Sequence, residues 1–347
     1  MARSKIRAEG LNRRDFLKAG LLTGGVAAGA VAVNQAHHTL PGQHNASTLS
    51  APPLQQGAHG GHDGTVGEVD LSLFDPTRFL YEFDSGTESR GLNGQTVREW
   101  NVIAQNRDIE IAPNVWFPAW TFNGQVPGPT FRCREGDLLR IHLLNASPHP
   151  HTIHFHGIHP PGMDGILPLV QPGETFVYEF TARPFGLQLY HCHVMPVKRH
   201  IHKGMYGAFV IDPPGGRPPA REMVMVMNAF DTNFDGENEV YAVNTVAFHH
   251  VRHPIQVKVG ELIRVYLVNI TEFDPVNSLH LHAAFYRLYR TGSNLDTYEF
   301  TDIVTMGQGE RHVLEFTLDF PGRFMFHAHQ SEFAELGWLG FFEAVEA

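Results

Sequence analysis

Four short histidine pairs and one cysteine carry the chemistry available to this 347-residue chain. His154/His156, His191/His193, His280/His282 and His327/His329 are each written His-x-His. In an extended strand residues i and i+2 face the same way, so each pair sends two imidazoles in one direction. A single pair is within reach of chance on a solvent face. Four pairs are not, because packing alone rarely calls for so many imidazoles. Neutral imidazoles ligate copper, zinc, iron or nickel, so the eight rings predict metal without choosing which.

Cys192 makes the choice. It stands between His191 and His193, and on a strand its sulfur leaves on the face opposite both rings. His200, His202 and Met205 follow it, and His149 and His151 precede it. A thiolate with two imidazoles and a weak thioether is the ligand set of a blue electron-transfer copper centre. The backbone joining Cys192 to both flanking histidines offers a short through-bond path to a second metal site. Cys133 has no such company and reads as a small buried hydrophobe. Two cysteines allow at most one disulfide, so this is no disulfide scaffold.

Short strands between Gly/Pro turns must position these residues. From about residue 98 the chain has no long helical period, and runs such as 174–181 and 223–227 read as strands of antiparallel sandwiches. The pattern repeats: Gly136-Asp-Leu-Leu-Arg-Ile-His-Leu-Leu-Asn145 matches Gly260-Glu-Leu-Ile-Arg-Val-Tyr-Leu-Val-Asn269. Each copy then carries one His-x-His pair after the match and a second near its end. The Pro/Gly-rich stretch 213–219 separates them, which predicts an all-β chain with domains at 98–212 and 213–347. Residues 69–83 predict a short helical packing segment, within 68–97, leading into the first domain. Met223, Met225 and Met227 alternate with valines and read as core.

The termini and composition set further bounds. Arg13-Arg14-Asp15-Phe16-Leu17-Lys18 precedes a weakly apolar run of small residues, and residues 1–36 resemble a twin-arginine export signal. That implies a periplasmic or extracellular protein. The apolar run is shorter than the roughly 20 residues that span a bilayer. Residues 37–67, rich in Gly, Pro and His, read as a flexible arm. The net charge of −10 becomes −14 without residues 1–36, and an acidic body of that kind argues against nucleic acid.

Phe122-Asn-Gly-Gln-Val-Pro-Gly-Pro-Thr130, His154-Phe-His-Gly157, Met163-Asp-Gly165 and Tyr190-His-Cys-His193 together resemble the multicopper oxidases, from about residue 98 to the C-terminus. The resemblance implies two cupredoxin-like Greek-key domains and a laccase-type oxidase with four coppers per chain. It implies that His151, Cys192, His200 and Met205 hold the type 1 copper, His200 being preferred to His202 for its His-x₄-Met spacing. His154 and His280 would hold the type 2 copper. His156, His191, His193, His282, His327 and His329 would hold the type 3 pair, and Asp164 would feed it protons, with Glu332 and Glu335 as weaker supporting candidates. In the second copy Ala328 replaces the cysteine and Trp338 stands near the place of Met205, so no blue copper is expected there. Two-domain relatives build the three-copper cluster between subunits of a trimer, which implies a head-to-tail homotrimer here.

The implied reaction takes single electrons from a small reducing substrate, phenolic or aromatic, and reduces dioxygen to water. Oxidation of Cu(I), Fe(II) or Mn(II) is the alternative within the family. Copper nitrite reductase shares the two-domain plan and has a similarly long Cys–His loop. It needs an Asp where this chain has His154, and lacks a second His after its ligand Cys. A copper carrier without oxidase activity would leave eight histidines without a purpose.

Overall fold

A computed structural model gives the structure of the protein and describes residues 6–7 and 67–346. The segments expected to be an export signal and a His-rich arm otherwise lie outside the described residues.

Strand β1 (Ile6–Arg7) precedes β2 (Thr87–Arg90), β3 (Thr96–Ala112), β4 (Val115–Phe122), β5 (Phe131–Arg134) and β6 (Leu138–Asn145). The first domain is completed by β7 (His154–Phe155), β8 (Thr175–Thr181), β9 (Gly186–His191) and β10 (Tyr206–Asp212). One sheet has the order β1-β4-β3-β6-β8, with β2 on β3, and the other the order β5-β10-β9-β7. β6 shows how the sequence makes such a layer: Leu139, Ile141 and Leu143 are buried, and the residues between them are more exposed.

The second domain contains β11 (Arg221–Phe230), β12 (Val240–Val243), β13 (Ile255–Lys258), β14 (Ile263–Asn269), β15 (Val276–Leu281) and β16 (Tyr286–Arg290). It continues through β17 (Glu299–Thr301), β18 (Ile303–Gly307), β19 (Arg311–Phe316), β20 (Gly322–His327) and β21 (Leu339–Val345). Its sheets run β12-β11-β14-β19-β16-β17 and β13-β21-β20-β15-β18. The duplication read from the sequence is reproduced strand by strand. β3 pairs in parallel with β6 as β11 does with β14, and β10 in parallel with β5 as β21 does with β13. Both copies are cupredoxin-like sandwiches.

The domains share a core. Residues 223–230 are buried throughout, because one face of β11 packs inside its own sandwich and the other against the first domain. All three methionines of this strand are core, as their alternation predicts. Arg132 on β5 reaches across to Glu222 on β11 at 2.6 Å while pairing with Asp212 at 2.8 Å.

Two boundaries differ from expectation. Apart from β1, the first sheet begins at Thr87 rather than 98, because β2 pairs with β3. The helical segment is a single turn, Pro76–Phe79, capped by the Asp75 side chain accepting from the amides of Thr77 and Arg78. It does more than lead into the first domain: Phe79 and Leu80 join the shared core, and the Leu80 carbonyl accepts from the Val224 amide at 2.9 Å. Among the described residues no helix is long and apolar enough to cross a membrane.

Candidate metal centres

The first donor set lies inside the first domain. β9 delivers Cys192 directly beyond its last residue, the short helix Val197–His202 delivers His200, and a backbone bridge to Val170 holds His151. Cys192 Sγ is 3.1 Å from His200 Nδ1 and 3.7 Å from His151 Nδ1. The two nitrogens are 3.2 Å apart. Metal–nitrogen bonds of about 2.0 Å at tetrahedral angles set ligand nitrogens about 3.3 Å apart, so one ion fits between these rings. Met205 is fully buried and fixed from both sides: its carbonyl accepts from the Cys192 amide, and its amide donates to the His200 carbonyl.

Burial shapes the electrostatics. Desolvation lowers His151 to about 3 and His200 to about 4, so both rings are neutral at pH 7 and offer lone pairs. Desolvation also pushes the Cys192 thiol up to about 11, so metal binding must displace its proton. The Thr152 amide points at the sulfur from 3.5 Å. Trp120 covers the set, its ring 4.9 Å from His200 and 5.6 Å from His151. His202 goes elsewhere: its ring sits between Phe117 and Phe273, and Nε2 meets the Asp231 backbone at 3.2 Å.

The second set is on the opposite face of the same short segments. Donor atoms of His154, His156 and His191 converge, and the His193 ring lies 5.3 Å from that of His154. Nε2 of His156 and Nε2 of His191 face each other at 3.3 Å. His154 donates from Nδ1 to the Asp164 carbonyl at 2.7 Å, and His191 donates from Nδ1 to the Cys192 carbonyl at 3.0 Å. Each bond fixes the tautomer that leaves Nε2 bare for an ion. Burial lowers His156 to about 3 and His191 to about 4. The Asp164 carboxylate is 3.2 Å from His154 Nδ1. Gly165 behind it has φ +76°, and a Cβ there would stand 2.0 Å from the Ile153 carbonyl oxygen.

The third set repeats the second in the other domain. His280, His282 and His327 converge, and Nε2 of His282 is 2.9 Å from Nε2 of His327. His327 donates from Nδ1 to the Ala328 carbonyl as His191 does to Cys192. The His329 amide donates to Ser278 Oγ at 2.7 Å. Burial lowers both His282 and His327. His280 donates from Nδ1 to the Asp302 carbonyl at 3.0 Å, the counterpart of His154 and Asp164. Sequence reasoning missed Asp302, because it follows its histidine by 22 residues where Asp164 follows by 10. Only the strand register pairs them. Glu332 and Glu335 lie on the short helix Ser331–Glu335 just past His329.

Where the first domain has the Cys192 set, the second has a filled counterpart. The Ala328 amide donates to the Trp338 carbonyl as Cys192 does to Met205, and Trp338 to Phe333 as Met205 does to His200. Asn277 stands three residues before His280, as His151 does before His154. Ala328 and Trp338 are fully buried, and no thiolate is present to hold an ion.

Among the described residues no hydrogen bond or ring contact joins the second and third sets, and His282 faces solvent. A further convergent group, Asp231, Asp235 and Glu239, has its oxygens taken up largely by amides of its own loop and by Thr232.

Residues 104–216 and 216–346 match two family patterns, each described as multicopper oxidase. A solved multicopper oxidase is 51% identical, with a TM-score of 0.77, and is matched over 78% of this chain and 97% of its own. The copper nitrite reductase of Nitrosomonas europaea is 27% identical with a TM-score of 0.66, over 72% of this chain and 94% of that one. The copper-containing nitrite reductase of Neisseria gonorrhoeae is 30% identical over 244 residues, 64% of this chain. The match spans 62% of that relative, a little under two thirds of its length.

Proposed function

Because the chain belongs to the multicopper oxidases, a family of copper oxidoreductases, we propose that it is a laccase-like oxidase that couples one-electron oxidation of phenols to reduction of dioxygen. The observation that carries this reading is the repeated histidine geometry, with two facing Nε2 atoms in each domain, beside a single Cys192 set. When bound, copper would supply the redox chemistry, 4 ArOH + O2 → 4 ArO• + 2 H2O, taking electrons at the Cys192 set and passing four of them to dioxygen among the imidazoles.

The chain's own residues would do the rest. His151, Cys192, His200 and Met205 form the type 1 site, closed from solvent by Trp120. His154 and His280 serve the type 2 position. His156, His191, His193, His282, His327 and His329 serve the type 3 pair, making four coppers in all. The backbone from Cys192 to His191 and His193 is the conducting link. Asp164, beside His154 Nδ1, orients that ring and stands where it could pass protons toward the imidazoles.

In one chain the second and third sets stand apart, which favours a homotrimer joined head to tail, each centre built from the first domain of one copy and the second domain of the next. Exposed apolar side chains adjoin both sets in sequence, Leu167 and Met195 near the second set and Phe285 and Phe300 near the third. The arginine pair Arg13-Arg14 supports export to the periplasm or beyond.

Nitrite reduction is the second reading, favoured by the nitrite reductases among the relatives. Against it stand His154, where an acid is needed, and the extra ring of His193. Oxygen uptake by the copper-loaded protein with an electron-rich phenol tests the proposal. The expected result is one dioxygen per four phenols without peroxide. Uptake with Cu(I) or Fe(II) alone would make it a metal-ion oxidase. Nitrite turnover without oxygen uptake would sink the oxidase reading.

A further inference from the structure

The residues of the Cys192 set are buried, His151, Cys192 and Met205 completely and His200 to 4% exposure, so a donor meets few of their atoms directly. Trp120 is what the set presents outward. Its ring stands edge-on to both ligand imidazoles, 4.9 Å from His200 and 5.6 Å from His151. The His149 ring lies along it at 4.4 Å and the Arg199 guanidinium at 5.0 Å, contacts that hold the indole in one orientation. The Trp120 amide donates to the Lys203 carbonyl at 2.8 Å, tying β4 to the end of the helix that carries His200.

On β3, Asn106 lies directly opposite Trp120 and Asp108 opposite Pro118, and residues paired in this way share a face of the sheet. With Lys203 they border a cleft of about 360 Å³ that has Trp120 in its wall. Small-molecule sites run from roughly 300 to 1,000 Å³, so a single-ring compound fits. Charged groups of both signs stand there, Arg107 and Lys203 with Asp108, and the aromatic surface is the indole.

We propose that this cleft binds the electron donor, that the donor is a neutral single-ring phenol, and that the Trp120 indole bridges it to the ligand imidazoles. The phenol ring lies against the indole as an aromatic pair. It loses one electron through the indole to copper held by the Cys192 set, and its hydroxyl proton to water in the open cleft, leaving a phenoxyl radical. The indole itself is neither oxidised nor reduced. The inference rests on the oxidase reading of the Cys192 set.

Titration of the metal-free protein with 2,6-dimethoxyphenol should quench tryptophan emission saturably. Four tryptophans are present, so Trp120→Phe is the control, and it should lose most of that quenching. Asn106 is exposed and on a strand, so Asn106→Phe is tolerated and lays a second ring over the indole. It should raise the Kd read from the quenching about ten-fold. In the copper-loaded protein without oxygen, Asn106→Phe should slow bleaching of the blue band by the phenol about ten-fold, with absorption and reduction potential unchanged. Wild-type bleaching rates in Asn106→Phe, or no saturable quenching, overturn the cleft even where oxygen is consumed. Quenching that Asn106→Phe weakens, with no bleaching in either protein, sustains the phenol site and removes the oxidase reading.

Discussion

The Cys192 carbonyl accepts a hydrogen bond from Nδ1 of His191 at 3.0 Å, while the Cys192 sulfur lies 3.1 Å from His200 on the opposite face. One residue thus furnishes the donor atom of one set and fixes the imidazole tautomer of the next. Cys192→Ser keeps the backbone and removes the thiolate. Expected are loss of the blue absorption and a fall in phenol oxidation by roughly three orders of magnitude, with copper lowered by one per chain. Metal analysis beside the visible spectrum checks this; a variant that stays blue would refute the assignment.

Gly165 holds Asp164 against His154. Its left-handed φ and the closeness of the Ile153 carbonyl leave no room for a methyl group. Gly165→Ala should cost about 2 kcal/mol and lower Tm by roughly 4–8 °C. Thermal melts test the cost, and the paramagnetic spectrum of the copper form should change at the His154 site. An unchanged Tm would show that the turn relaxes freely.

The depressed histidines give a pH dependence of definite sign. His151, His156, His191 and His200, lowered by burial to about 3 or 4, stay neutral in the folded chain where the unfolded chain takes up protons. Below an unfolded pKa of about 6.5 the unfolded state binds more protons, so stability is full above that pH and is lost as pH falls toward 4. Melting of the metal-free protein between pH 7.5 and 4 should show Tm dropping steadily over about the lower two to three pH units. A flat profile would mean that these rings are hydrated.

If the imidazoles are shared head to tail between copies, as proposed, complementation follows. His282→Ala damages the second domain and Cys192→Ser the first, and each alone should be inactive. Co-expressed and mixed at random, about a quarter of the interfaces pair two intact halves, and activity should recover in that proportion. A centre contained within one chain would give no recovery.

Most of the site was legible because strand periodicity and donor chemistry are local properties. The four His-x-His pairs and Cys192 follow from alternation alone, and the duplicated run ending at Asn145 and Asn269 locates β6 and β14. The choice between His200 and His202 rested on spacing and resemblance. In the structure they diverge because a short helix sends neighbouring positions to different sides, one toward Cys192 and one toward Phe273. Asp302 was invisible, since its role depends on pairing between β15 and β18 rather than on nearby residues. So was the reach of Leu80 to Val224, a contact set by how the two sandwiches meet.

In the second domain, backbone hydrogen bonds among Ala328, Phe333 and Trp338 repeat those among Cys192, His200 and Met205. The loop that frames a thiolate site is therefore held by main-chain atoms and survives without the ligands. The two loops differ in their side chains rather than in their backbone, and in the second domain an indole fills the space. A second thiolate site built on this frame would have to replace Asn277, Ala328, Phe333 and Trp338, the positions that match His151, Cys192, His200 and Met205, while the main-chain bonds around them already stand.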